Sequence, residues 1–323
     1  MSKSIIRFLK DWTLPVSIGT GIAVYLIFAL VPELDGFATA AAPFFDAILP
    51  MFMFLILFVT FCKVDFRRLR PTAWHLWVGV FQVLTVVAVT AVIVGMHLTG
   101  HALILAEALL TCIIGPCAAA AAVVTQKLGG NLEEMTTYTF LSNLITATLI
   151  PICFPLIDKD ADIHFFTAFM LILHKVFTVL VVPMILAFIV KHYVKWLCRR
   201  VTSIRDLSYY LWGGSLLIVS GTTAKNIMHA NTSTAFLLVI AATSLVLCLF
   251  QFASGRLIGR HFGEAINAGQ ALGQKNTAFA IWIAYVYLDP LSSVGPGCYI
   301  LWQNIINSWE IWAAQKTTRQ KGQ

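Results

Sequence analysis

Long apolar runs alternate with short polar and charged segments along the whole chain. Ten runs stand out, at about 12–31, 44–62, 74–98, 102–125, 135–157, 163–190, 207–224, 234–254, 265–288 and 291–314. Each is about as long as a helix must be to cross roughly 30 Å of hydrocarbon. They predict an all-α polytopic membrane protein with ten transmembrane helices. Five runs precede the acidic connection carrying Asp158, Asp160 and Asp162, and five follow it. Because five is odd, the second set starts from the opposite side. The chain therefore reads as two inverted five-helix repeats, 1–157 and 158–323.

Composition and charge fit this pattern. Hydrophobic residues make up 59% of the 323 and charged residues 11%, whereas a water-soluble globule carries about a quarter charged. A soluble enzyme, a disordered chain, a nucleic-acid-binding domain and a secreted disulfide scaffold are excluded. With the N-terminus inside, 18 of the 22 Lys and Arg fall on the inner side. They are Lys3, Arg7 and Lys10, then Lys63, Arg67, Arg68 and Arg70, then Lys127. Lys191, Lys195, Arg199, Arg200 and Arg205 follow, then Arg256 and Arg260, and finally Lys316, Arg319 and Lys321. Only Lys159 and Lys225 fall outside, near Glu33, Asp35 and the acidic connection, while Lys175 and Lys275 lie within spans. The asymmetry predicts both termini in the cytoplasm and residence in a plasma membrane, the inner membrane if the source is bacterial. The net charge of +7 records this bias rather than an anionic polymer partner. No small-residue cleavage site follows the first run, so no signal peptide is expected. The seven cysteines are scattered without metal-ligand spacing and read as core residues.

Two spans are interrupted at matching places. Span 4 contains Gly115-Pro116-Cys117 followed by Ala118 to Ala122, and span 9 contains Gly269 through Gly273, Gln274, Lys275, Asn276 and Thr277. Pro116 frees a carbonyl four residues earlier, and Gly273 permits backbone angles that a helix does not use. Unpaired backbone at membrane depth survives only where it lines a cavity or finds partners. A half-helix starting near Pro116 would turn its positive dipole end toward the break, which suits an anion.

Lys275 lies about ten residues into span 9, too deep to reach the interface easily. A buried ammonium needs a counter-charge, water or freed carbonyls, and by default it marks function. Span 5 carries Thr136, Thr139, Asn143 and Thr146 on one face. Span 10 carries Gln303, Asn307 and Glu310, beside Asn304 and Ser308, in similar register. The span 5 hydroxyls read as helix glue. The span 10 stripe reads as the wall of a water-filled cavity open to the cytoplasm, although Glu310 could simply reach the interface. Glu107 and Lys175 lie toward outer ends, where long side chains reach headgroups. His97, His101 and His164 have no metal-ligand spacing. There is no Walker loop, GxSxG, HExxH or acid pair, so no enzyme, metal or cofactor is expected.

At these interruptions the sequence resembles the bile acid:sodium symporter family. The likeness is clearest over Gly115-Pro116-Cys117 through Asn131 to Pro151, and over Gly273-Gln274-Lys275-Asn276 through Trp302-Gln303-Asn304. The resemblance implies broken, crossing helices 4 and 9 and an organic-anion substrate. It also implies a core domain of spans 3–5 and 8–10 working against a panel of spans 1, 2, 6 and 7. It places substrate contacts at Ala119, Asn276, Gln303 and Asn304, and with the interruptions, the deep lysine and the span 10 stripe the candidate substrate site also takes in Pro116, Cys117, Ala118, Lys275, Thr277 and Asn307. It places the positions of the family's sodium ligands at Gln82, Ala121, Ala122, Met135, Thr139, Ala271, Leu272, Gln274 and Lys275.

Most of those ligands are replaced. Sodium needs several oxygens with a carboxylate to offset its charge, and alanine and methionine offer none. Sodium coupling is therefore not expected. Lys275 takes the place of one sodium charge and braces the crossing. Alternatively, since burial penalises the ammonium, it loads and releases a proton. The expected protein is a secondary transporter of a bile-acid-like or pantoate-like anion working by alternating access. An uncoupled facilitator and a membrane-embedded anion sensor without turnover are the alternatives.

Overall fold

The computed structural model describes residues 13–31, 35–157, 165–204, 207–228 and 232–321. Lys3, Arg7, Lys10, Glu33, Asp158, Lys159, Asp160, Asp162, His164 and Arg205 lie outside the described residues. In chain order the helices are α1 (Thr13–Leu30), α2 (Asp35–Lys63), α3 (Ala73–Gly95), α4 (Gly100–Ile114) and α5 (Ala121–Lys127). Next come α6 (Leu132–Ile157), α7 (Phe165–Leu180), α8 (Val182–Tyr193), α9 (Lys195–Ser203) and α10 (Leu207–Met228). The last are α11 (Thr234–Arg260), α12 (Ala265–Gly273), α13 (Thr277–Tyr287) and α14 (Val294–Lys321). Short 3-10 turns lie at Phe66–Arg68 and Pro290–Ser293. Among the described residues, extended pairing is confined to one antiparallel bridge between Cys117 and Lys275.

Four stretches are long and apolar enough to cross a membrane: Ala73–Gly95, Leu132–Ile157, Phe169–Tyr193 and Thr234–Arg260. Shorter apolar helices cover Val16–Leu30, Ala47–Lys63, Gly100–Ile114 and Thr277–Tyr287. Spans 4 and 9 yield short pieces because each is two helices, α4 with α5 and α12 with α13. Large side chains stand outward on the long helices, among them Leu76, Trp77 and Leu84, Leu238 and Val246, and Trp309 and Trp312. An apolar outer surface on apolar helices is what hydrocarbon selects and water does not. The protein is a multi-pass helical membrane protein.

The chain forms two compact units. One comprises Met1–Lys63 and Pro183–Asn231, the other Val64–Val182 and Thr232–Gln323. In the first, α1 packs closely on α10 through glycines. A Cβ on Gly21 would stand 2.1 Å from the Leu217 carbonyl oxygen, and one on Gly221 would stand 3.1 Å from the Gly21 oxygen. Hydrocarbon gives helices no hydrophobic drive to associate, so close backbone approach through small residues holds them instead. The second unit uses the same device between α11 and α12. Added Cβ atoms on Gly255 and Gly259 would meet the Ala268 and Glu264 carbonyl oxygens at 2.2 and 2.4 Å.

Candidate functional site

α4 stops at Ile114 and α5 begins only at Ala121, while α12 stops at Gly273 and α13 begins at Thr277. The two gaps meet as short extended strands. The Ala118 N–H donates to the Gln274 carbonyl at 2.9 Å, and the Asn276 N–H donates to the Pro116 carbonyl at 2.8 Å. This pairing holds Cys117 and Ala118 extended, which is why the half-helix expected from Pro116 starts at Ala121 instead. Gly273 plays a different part from the expected one. It is the last helical residue of α12 and does not have positive φ. A Cβ there would stand 2.3 Å from the Phe252 ring, so glycine is needed for space rather than for backbone freedom.

Breaking a helix frees its last carbonyls, and here every one from Cys112 to Pro116 has a donor. Cys112, the carbonyl that Pro116 orphans, accepts from Gln251 Nε2 at 3.4 Å. Ile113 accepts from Lys275 Nζ at 2.9 Å and from Gln82 Nε2 at 3.2 Å. Ile114 accepts from the Thr146 hydroxyl at 2.8 Å, Gly115 from Gln82 Nε2 at 3.4 Å, and Pro116 from Asn276. On the α12 side, the Gly273 carbonyl accepts from the Tyr299 hydroxyl at 2.8 Å. Lys275 is 1% exposed, and no carboxylate pairs with it among the described residues. Its ammonium sits on the carbonyl end of α4, the negative end of that helix dipole.

Side-chain amides and hydroxyls hold the extended strands. Gln303 clamps Lys275: its Oε1 accepts from the Lys275 N–H at 2.9 Å, and its Nε2 donates to the Lys275 carbonyl at 3.2 Å. Ser142 accepts from the Cys117 N–H at 2.7 Å. Asn276 caps α13 by accepting from the Phe279 N–H at 3.3 Å. Pro116, Cys117 and Thr277 are buried at the crossing, with Ala118 and Ala119 half-buried beside them. Two candidate contacts lie elsewhere. Asn304 donates to its own helix at the Ile300 carbonyl, 2.6 Å away, and Asn307 pairs with Gln270 at 3.0 Å.

The positions matching the family's sodium ligands are mostly apolar and tightly packed. Ala121, Ala122, Met135, Ala271 and Leu272 join Trp74, Val78, Cys117, Tyr138 and Ala268 in a single buried cluster. Those side chains offer no oxygen to a cation. The Thr139 hydroxyl is turned to the Met135 carbonyl at 3.0 Å. Oxygens that remain are Gln82 Oε1, taken by the Tyr138 hydroxyl at 3.1 Å, and Gln274 Oε1, buried without a partner.

Two expectations are corrected. Glu107 does not reach headgroups. It is 4% exposed and accepts from the Ser292 hydroxyl at 2.6 Å, because the turn at Pro290–Ser293 folds over it. Gln303, Asn307 and Glu310 do not form an open wall, since all three are buried and bonded to Lys275, Gln270 and Arg256 respectively.

Sequence reasoning missed Tyr138, Ser142, Gln251 and Tyr299, all buried in the bonding around the crossing. A signal for them was present. Tyr138, Ser142 and Thr146 on α6 share their four-residue spacing with Tyr299, Gln303 and Asn307 on α14. In each set the tyrosine meets a glutamine of the preceding long helix, Gln82 or Gln251, and the next residue accepts from a break N–H.

Two apolar helices, each broken, with the breaks paired to one another, are an architecture that membrane transporters use. A model of the sodium bile acid symporter family matches residues 50–230, more than half of the chain. The chain belongs to that family and is a membrane transporter of the bile acid symporter type. No curated protein matches it.

Proposed function

We propose that this transporter moves an organic anion, bile-acid-like or pantoate-like, by alternating access and without sodium. Lys275 supplies in fixed form the positive charge that a sodium ion would otherwise bring. The observation that carries this reading is the Lys275 ammonium on the Ile113 carbonyl at 2.9 Å. The oxygen-free packing at Ala121, Ala122, Met135 and Ala271 supports it. An ammonium already held by a helix end acts as a brace, so the tether is favoured over Lys275 as proton carrier. The substrate carboxylate is read as meeting Asn276, Thr277 and the half-buried Ala118 and Ala119.

We further read the chain as ten helices in two inverted repeats, 1–157 and 158–323, with both termini cytoplasmic. The matched Tyr138–Ser142–Thr146 and Tyr299–Gln303–Asn307 sets support the repeat. We read a core of spans 3–5 and 8–10 and a panel of spans 1, 2, 6 and 7; the two compact units support this for every span but span 6, which they divide between them.

The test is uptake of radiolabelled taurocholate, with pantoate in parallel, into proteoliposomes holding either sodium or only potassium. Equal rates are expected, together with loss of uptake in Lys275→Gln. A strict sodium requirement, or full uptake by that variant, would overturn the reading.

A further inference from the structure

A second polar cluster lies away from the crossing, where α11, α12 and α14 converge. Glu310 of α14 is buried, and one of its carboxylate oxygens pairs with the Arg256 guanidinium of α11. The other oxygen accepts from Gln270 Nε2 of α12 at 3.0 Å, and the same nitrogen donates to Asn307 Oδ1 at 3.0 Å. Space is reserved for the arginine stem, since a Cβ on Gly269 would stand 2.6 Å from Arg256 Cγ. Gln270 Oε1 and Asn307 Nδ2 are buried and have no partner. The cluster is polar, charged and incompletely bonded.

Stability does not account for it. A buried ion pair is often no better than a well-packed apolar pair of the same volume, and an ionisable group inside a membrane protein marks an ion or proton route by default. The pair is also lopsided, with the Arg256 side chain 37% exposed and that of Glu310 6%. If the pair opens, the guanidinium reaches water from where it stands. The carboxylate stays in low dielectric, where an uncompensated charge is costly, and a proton relieves it.

We propose that Glu310 is a proton-binding site, taking up a proton from water in exchange for Arg256. The step makes one O–H bond and dissolves one ion pair, and the Gln270 bond to the carboxylate loses its charge assistance. Gln270 stands one turn before the break, and its carbonyl accepts from the Gln274 N–H at 2.9 Å. Proton occupancy therefore changes the tie between α14 and α12, the helix that leads into the extended segment carrying Lys275. The proposal rests on the transport reading and gives it a coupling ion. Arg256 is the charged group that faces Glu310 from α11, and α12 faces it with the neutral Gln270. Other charged groups on helices packed against α14 are Arg260 on α11, His101 and Glu107 on α4 and Lys127 on α5. None of them pairs with Glu310 among the described residues.

The test is infrared difference spectroscopy of the full-length protein in liposomes, titrated from alkaline to acidic pH. A protonated-carboxyl C=O band is expected in the wild type and should be missing from Glu310→Gln. In Arg256→Gln the band should grow in at higher pH, because the competing cation is gone. Identical titrations in wild type and Glu310→Gln would overturn the proposal. Should Glu310→Gln not fold, a titration unmoved by Arg256→Gln would do the same. The readout needs no transported anion, so it is independent of the uptake experiment.

Discussion

Lys275 combines a costly feature with a specific partner, and its substitution separates the two. Lys275→Met keeps the apolar stem and removes the ammonium, leaving Ile113 with Gln82 alone. Loss of a hydrogen bond to a charged group costs about 1.5–3 kcal/mol, so the Tm in detergent should fall. A Tm that held or rose would mean that the buried charge is a net burden and the brace is wrong. Gly273→Ala tests the packing argument. The new methyl would collide with the Phe252 ring, and overpacking costs about 1–3 kcal/mol. Thermal unfolding should read that loss, and Phe252→Leu in the same chain should recover part of it. At the connection between α11 and α12, partial burial and then the Glu134 charge raise the Glu264 carboxyl above its usual range. A raised carboxyl favours the protonated folded state. Its stabilising effect is therefore full below the unfolded value and is lost as pH rises through the folded one. Glu264→Gln should raise Tm near neutral pH and leave it unchanged in acid.

At the scale of elements, the crossing is two broken helices whose ends are bonded by side chains from long helices nearby. Gln251 donates to Tyr299 at 2.9 Å, and Tyr299 donates to the Gly273 carbonyl at 2.8 Å. The chain of bonds predicts coupling. In a double-mutant cycle of Gln251→Leu with Tyr299→Phe, the two losses should differ from additivity by about 0.5–3 kcal/mol. Strict additivity would show that each holds its partner alone. The breaks themselves were legible in the sequence, because Pro116 and the Gly-rich run at 269–273 interrupt otherwise apolar spans. The donors were not. A glutamine, threonine or tyrosine within an apolar run carries no local sign of which carbonyl it answers, since its partner lies 26 to 139 residues away.

At the scale of the whole molecule, the family and the helix-rich, apolar architecture agree on a multi-pass transporter. The basic residues predict its orientation. Reporter domains active only in the cytoplasm should work at either terminus, and a silent C-terminal fusion would break the ten-span reading. The compact units divide the chain within span 6, between Val182 and Pro183. The apolar run from 163 to 190 gives no hint of this boundary. The helix is interrupted at Val181, between α7 and α8, while the hydrophobic pattern runs on through it.

Sequence by itself determined what hydrophobicity and covalent geometry dictate: apolar spans, groups of Lys and Arg between them, the two interruptions, and a lysine deep within one of them. These depend on composition and local backbone chemistry, which any chain carries before it folds. Tertiary structure decided what each polar group bonds to. It turned Gln303 into a clamp on the Lys275 backbone and set Lys275 on the end of α4. It buried Glu107 under a turn and joined Glu310 to Arg256 and Gln270. Each of these is a contact between residues far apart in the chain. Its geometry is set by how closely glycine-lined helices approach, a distance that no single segment encodes.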